Sequence, residues 1–585
     1  MDRRSRHAKL LAPLCALVLL AGSTASLTAC TALPSDAPPQ SLGQFRRTPI
    51  TFNPPKPQPG RSPDLLLRDF MRAAAVPTNR HAAARLFLTA KGNADWDDQA
   101  TLKVIERIDV NTVATPDANS LVMQVRARSM GEVDKQGAFR SNLSTHTFEV
   151  KMHRNGKQWL IDRFPDELLV DREAFMATYE SQSIYYLDVT GSRVVPDPRW
   201  LYAQDSHLPN MLMQLLVQDP SPQLHDMVAS ELPASAHVSA VPGAQGNGVD
   251  VEISNYQAGS EASRRRLAAQ IIFTFERARI HGPFYITVDG NPLDPNHRDG
   301  WTAADVVHYD PMYATHQNPV QLHAITSDGL MKVSSNLEPV KGPLGHSQDL
   351  RSASFSRGGE MIGVVEEVRD KERTPLEVKM GPVGGPLVSV MRGSRFSRPT
   401  WGPTGLDMWI VSGDDHINRI VWQDGRSPLV TRVDTSHLTR KPDFNTLSIS
   451  PDGVRLAYIS GGKLYIATIY TSRDGGEVSL RNPQRIYISS DEVVLSVAWR
   501  TATELLVGGS LTDQPVLMVS IDGASVTPLG IRNVTAPVSV VVANPTGIYV
   551  QDSRDVMRLE QGSEGFWQDV PALVNSPRAI PVLEG

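Results

Sequence analysis

Ile449-Ser450-Pro451-Asp452-Gly453, with Leu456-Ala457-Tyr458 three residues further on, decides the fold of the C-terminal half of this chain, because the pattern returns. Aligned on Ile449, the copies are Phe355 with Gly359, Trp401 with Gly405, Trp499, and Ala543 with Gly547, so the anchors lie 46, 48, 50 and 44 residues apart. Each copy joins a turn rich in Pro, Asp and Gly to an apolar strand. A period in the forties built from such units predicts a β-propeller, since one blade cannot bury both its faces and must stack on neighbours. Further strand-turn-strand pieces fall between anchors, at 420–430 around Asp424-Gly425 and 517–526 around Asp522-Gly523. Five copies are visible. A strand pair at 323–333 around Asp328-Gly329 either closes the ring or belongs to another blade, giving five or six over residues 321–585. The stretch 533–551 is uncharged over 19 residues, but Asn544-Pro545 and Gly547 interrupt it, which favours blade strands over a membrane span.

Upstream, residues 176–295 alternate strand and helix signals. Strands are expected at 184–188, 193–196 and 249–253, the last with strict alternation. Pro209-Asn210 opens a helix carrying Leu212, Leu215 and Leu216, and a second helix at 261–278 spaces Leu267, Ile271 and Phe275 along one face. A strand at 284–288 then runs into Asp289-Gly290-Asn291-Pro292. Tyr186-Leu187-Asp188, Val195-Pro196-Asp197, Leu215-Leu216 before Pro220-Ser221-Pro222, Arg264-Arg265-Arg266 and Val288-Asp289-Gly290 together resemble the GerMN domain, a small α+β module. That family brings no catalytic residues. Residues 296–320 are expected to be a linker.

The region 61–175 begins with Ser62 as a helix N-cap and Pro63 in the first turn, with Leu66, Phe70 and Ala73 on one face. A short helix at 79–88 and strands at 102–108, 121–128 and 146–153 follow, and Asn155-Gly156 turns into Trp159-Leu160-Ile161. Helices first and an antiparallel sheet afterwards make an α+β domain. The order resembles the NTF2-like domains, some of which are enzymes with an acid or histidine in the cone. Asp162 and His146 are the matching candidates here, beside the plainer reading of surface or structural roles.

Residues 1–29 have the layout of an export signal: Arg3, Arg4, Arg6 and Lys9, an apolar run from 10 to 21, then small residues up to Leu27-Thr28-Ala29-Cys30. The last four resemble the lipobox of bacterial lipoproteins, which implies S-diacylglycerol and N-acyl groups on Cys30. The stretch 10–29 is uncharged over 20 residues, so an uncleaved anchor is the other reading. Both readings place the remainder outside the cytoplasmic membrane. Cys15 lies in the leader and Cys30 would be acylated, so the two cysteines supply neither a disulfide nor a thiolate metal site. Residues 30–60 hold eight prolines and form a tether.

Length alone requires several cores, since 585 residues at about 150 per domain suggest three or four. Net charge is −5, and loss of the leader, with its four cations and one acid, leaves −8. A mildly acidic chain is not equipped for nucleic acid or a polybasic lipid grip. Hydrolase elbow, zinc-helix and phosphate-loop motifs are absent from the sequence. Gly461-Gly462-Lys463 reads as a turn, Arg264 to Arg266 as a solvated helix start or an anion site, and His308 with Asp310 as connecting chain. No cofactor or catalytic residue is expected, although propeller enzymes can gather carboxylates from separate blades.

The whole order, lipobox to tether to α+β domain to GerMN-like domain to propeller, resembles the actinobacterial LpqB lipoproteins. The resemblance implies an accessory of the MtrA-MtrB two-component system that touches the extracellular part of the sensor histidine kinase and influences division and envelope upkeep. A cell-wall glycan or peptide receptor is the second reading, and a propeller enzyme acting on envelope polymers the third. Nothing in the residues sets an oligomeric state.

Overall fold

A computed structural model of the chain describes residues 52–202, 207–243, 247–313, 321–368, 375–438, 443–472, 476–489, 492–530, 532–544, 547–560 and 565–583. Cys30, the leader and most of the tether lie outside the described residues. The final tether residues are docked: Phe52 packs on the core of the first domain, and the amide of Gly60 donates to the Lys157 carbonyl at 2.8 Å.

In the first domain, helices α1 (Pro63–Ala73), α2 (Thr78–Arg85) and α3 (Ala90–Asp95) precede strands β1 (Leu102–Asp117), β2 (Ser120–Val133), β3 (Phe139–Asn155), β4 (Gln158–Arg163) and β5 (Leu168–Asp171). Leu66, Leu67 and Phe70 turn from α1 into the core, the apolar stripe expected of an amphipathic helix. The sheet order is β4-β3-β2-β1-β5. Strand β5 runs parallel to β1, a departure from the expected antiparallel sheet. Within α2, Asn79, Arg80 and His81 hold φ of 50°, 56° and 54°, so this turn is left-handed where a regular helix was expected.

The second domain adds α4 (Arg172–Thr178), β6 (Glu180–Asp188), β7 (Val194–Leu201), α5 (Leu208–Val217), β8 (Val228–Ala229), β9 (His237–Pro242), β10 (Val249–Ser254), α6 (Glu261–Arg277), β11 (Phe284–Val288), β12 (Asn291–Pro292) and α7 (Ala303–Val306). Its two sheets are ordered β7-β6-β8 and β12-β11-β10-β9. Helix α6 packs its apolar residues into their common core. It also buries Gln270 and Thr274, which satisfy the backbone of β6: Tyr185 N–H donates to Thr274 Oγ1 at 3.0 Å and Gln270 Nε2 to the Tyr185 carbonyl at 3.2 Å. The stretch read as a linker is, as far as residue 313, folded chain: Trp301 is 1% exposed, exchanges backbone hydrogen bonds with Phe284, and stacks on His297 at 3.6 Å. An indole buried among apolar neighbours ties this segment to the domain core.

Among the described residues, the third domain comprises six four-stranded antiparallel sheets in sequence order. The innermost strands include Leu350–Phe355, Thr400–Trp401, Phe444–Ile449, Val494–Trp499 and Val540–Asn544. The first sheet borrows its inner strand from the far end of the chain, where Ile580–Leu583 pairs with Leu322–Thr326. This strand touches both Val540–Asn544 and Leu350–Phe355, so the last sheet meets the first. The hairpin at 323–333 therefore belongs to a sixth sheet, which the C-terminal strand completes.

The repeated motif has a physical basis. In Ser450 to Arg455, Asp452 accepts from Ser450 Oγ and Val454 N–H at 2.5 and 2.9 Å, while Gly453 takes φ 77°. The Trp anchors stitch sheet to sheet: Trp401 Nε1 donates to Ser354 O and Trp499 Nε1 to Ser448 O, each at 2.9 Å.

Candidate functional site: the joint between three domains

Trp200, near the end of β7, stands where the three domains meet. Its indole N–H donates to Asp522 of the fifth sheet at 2.7 Å, its ring lies 5.1 Å from Phe175, and its amide donates to Gly137 of the first domain at 2.7 Å. Asp522 faces this partner because its own turn holds it: the other carboxylate oxygen accepts from Ser520 Oγ and the Ala524 amide, at 2.5 and 3.0 Å. Around this point Arg455 Nη2 donates to Pro196 O at 2.6 Å, Arg193 Nη2 to Pro403 O at 3.1 Å, and Val195, Leu224, Met227 and Val454 form an apolar seam. Arg128 of β2 bonds the Tyr487 hydroxyl and lies over its ring. Buried contacts of this kind make one body of three cores.

Beside the joint lies a cleft of about 680 Å³. Tyr185, Trp200 and Phe273 give its second-domain wall an aromatic character, with Tyr185 and Phe273 ring centres 5.8 Å apart. The opposite wall carries Thr501, Thr503, Glu504, Ser520 and Thr527. Burial pushes the Tyr185 phenol up to about 12, so it stays protonated and able to donate. Asp310 faces Arg277 at 3.6 Å, and Glu504 faces Arg500 at 3.4 Å. The cleft thus offers apolar faces and hydroxyls with its acids already paired, a composition for binding. No histidine, cysteine or lysine is among its lining residues.

The other candidates read from the sequence are dispersed. Asp162 pairs with Lys91 at 3.6 Å and accepts from Thr89, while His146 bonds Ser144 at 2.7 Å; the two share no site. Arg264, Arg265 and Arg266 face Asp294, Glu261 and Glu231 at 3.4, 2.8 and 2.5 Å, which leaves no guanidinium of the three without a carboxylate. The anion-site reading of this triplet is therefore corrected. Lys463, after the turn Gly461-Gly462, donates to Glu492 O at 2.6 Å. His308 packs against Tyr309 at 4.2 Å, and burial lowers its pKa. Among the described residues, no group of three or more His, Cys, Asp or Glu side chains is placed to hold a metal ion. No helix among them is long and apolar enough to cross a membrane. Sequence reading missed Trp200 as a site residue; a Trp beside the strand signal 193–196 was its only local sign.

Fold and cleft define a multidomain protein with a GerMN-type module and a C-terminal β-propeller-like domain. Family models described as Lipoprotein LpqB, N-terminal domain, as Sporulation and spore germination, and as Lipoprotein LpqB beta-propeller domain match residues 56–176, 183–294 and 328–583. Relatives named Lipoprotein LpqB align over almost the full length. The protein of Rhodococcus jostii (strain RHA1) is 32% identical, covering 99% of both chains. That of Mycolicibacterium smegmatis is 33% identical, covering 97% of this chain and 99% of the relative. That of Mycobacterium tuberculosis (strain CDC 1551 / Oshkosh) is 32% identical with the same coverage. The chain belongs to the LpqB lipoprotein family.

Proposed function

We propose that the chain is a lipid-anchored adaptor on the extracytoplasmic face of the cell membrane, held through Cys30, which binds the extracellular part of a sensor histidine kinase and modulates it, with effects on envelope upkeep and division. The relatives' name and the lipobox support the anchor. The NTF2-like reading of the first domain belongs to the same proposal and rests on its order of helices and strands. The observation that carries binding is the cleft at the three-domain joint, with an aromatic wall facing a wall of hydroxyls. An aromatic wall facing hydroxyls also fits a sugar ring or peptide segment, so cell-wall glycan or peptide is the second reading. A photo-crosslinking residue at Thr503, used in intact cells, decides between them. Adducts with the kinase ectodomain, lost when Cys30→Ala frees the protein from the bilayer, are the expected result. Adducts containing only glycan or peptidoglycan stem overturn the adaptor reading.

A further inference from the structure

The axis of the third domain carries a charge that its own residues do not neutralise. Counting back one residue from each anchor gives Ser354, Thr400, Ser448, Ala498 and Val542, and all five line a cavity of about 110 Å³ between the inner strands. Counting back three gives Thr446 and Ser496 at the same cavity, and, in the third sheet, Arg398. A guanidinium thus stands where neighbouring sheets present hydroxyls. Arg357, from the turn after the second sheet's inner strand, lines the cavity as well.

Among the described residues, neither arginine has a carboxylate bonded to it. Arg398 Nε donates to the Ala353 carbonyl at 3.2 Å, and Arg357 Nε is buried with no hydrogen-bond partner. Asp452 is the acid that acts on Arg357 through space, but it is already bonded to Ser450, Val454 and Arg455. No Asp or Glu is among the lining residues. Loss of hydration pulls both guanidinium pKa values down to about 10, which leaves both groups charged at neutral pH. Both side chains are half-buried, and a partly desolvated cation without a counter-charge is costly unless something pairs with it.

We propose that this axial cavity binds a small free oxyanion of phosphate or sulfate size, with Arg357 and Arg398 supplying the charge and the Ser and Thr hydroxyls supplying further donors. The planar guanidinium fork matches tetrahedral oxyanions. The volume holds such an ion with a few waters, each of which occupies about 30 Å³ in the liquid, and excludes a polymer. Met312 of the second domain also lines the cavity, so the site is completed by a neighbouring domain.

The test is thermal unfolding of the full chain in detergent, titrated with sodium phosphate against sodium chloride at constant ionic strength. A ligand bound only by the folded state raises the midpoint with saturation. The expected result is a saturable rise with phosphate and sulfate that chloride does not produce, with apparent affinity lowered at least tenfold by Arg357→Gln and by Arg398→Gln. Arg398→Lys keeps the charge without the fork and is expected to bind phosphate at least threefold more weakly, which keeps the test open if a Gln variant does not fold. A phosphate response no greater than that of chloride overturns the proposal, and so does an unchanged titration in the variants that fold.

Discussion

Asp98 is 4% exposed and accepts from Arg80 at 3.1 and 3.2 Å and from Arg85 at 2.6 Å. Arg80 is the middle of three residues at positive φ, a conformation that costs L-residues roughly 1–2 kcal/mol each, so this ion cluster helps hold a turn that local preference resists. Burial alone would raise the carboxyl pKa, but the two guanidinium groups outweigh it and hold it at about 2. A depressed carboxyl contributes stability that is present above its unfolded value near 4 and is lost as pH falls through about 2. Asp98→Asn is therefore expected to remove about 1–2 kcal/mol at pH 7, read as a lower urea midpoint, with the deficit against wild type shrinking between pH 4 and pH 2. An equal deficit at both ends would show that packing, not charge, is lost. Pairing of this sort was illegible in the sequence. Of the acids that face Arg264 to Arg266, only Glu261 is a helical neighbour at i,i+4, while Glu231 and Asp294 arrive through the fold.

At the scale of elements, the Asp-Gly turns of the third domain show what was legible and what was not. Gly453 and Gly425 both sit in Asp-Gly turns with positive φ, 77° and 69°. A Cβ on Gly453 would lie 2.6 Å from Pro403 Cγ of the adjacent sheet, whereas one on Gly425 would meet nothing within 4 Å. Gly425→Ala should thus show the backbone penalty alone, about 1 kcal/mol, and Gly453→Ala that penalty plus the strain of parting two sheets, about 1–3 kcal/mol more. Denaturant unfolding of the two variants measures the difference, and equal losses would mean that the sheets yield freely. Turn chemistry was readable because it is local. The apolar stripe of α6 was readable for the same reason, but the burial of Gln270 and Thr274 under β6 has no sign in the spacing. The parallel β5 and the buried Trp301 were missed because their partners, β1 and Phe284, are set by tertiary pairing and not by periodicity.

For the whole molecule, the period in the forties announced a propeller, yet nothing periodic announces how three cores are joined. Trp200 and Asp522 lie 322 residues apart, and Asp522 reads in isolation as one more turn residue. Their bond matters because both groups are buried: Trp200→Phe keeps an aromatic ring against Phe175 but withdraws the only N–H that reaches Asp522 Oδ2 among the hydrogen bonds described. Leaving one buried acceptor unsatisfied costs about 1–3 kcal/mol. That loss falls on the joint, since the sheets of the second and third domains keep their own ladders. Hydrogen exchange should accordingly quicken in β7 and in the Ser520 to Ser525 turn, while β10, held in its own sheet by β9 and β11, keeps its protection. Asp522→Asn has one acceptor oxygen where the carboxylate has two, so it cannot serve both the indole and the Ala524 amide and should loosen the joint as well. If Trp200→Phe leaves exchange in β7 unchanged, the domains are held by their apolar seam and by Arg455 and Arg193 instead, and the cleft between them does not depend on the indole bond.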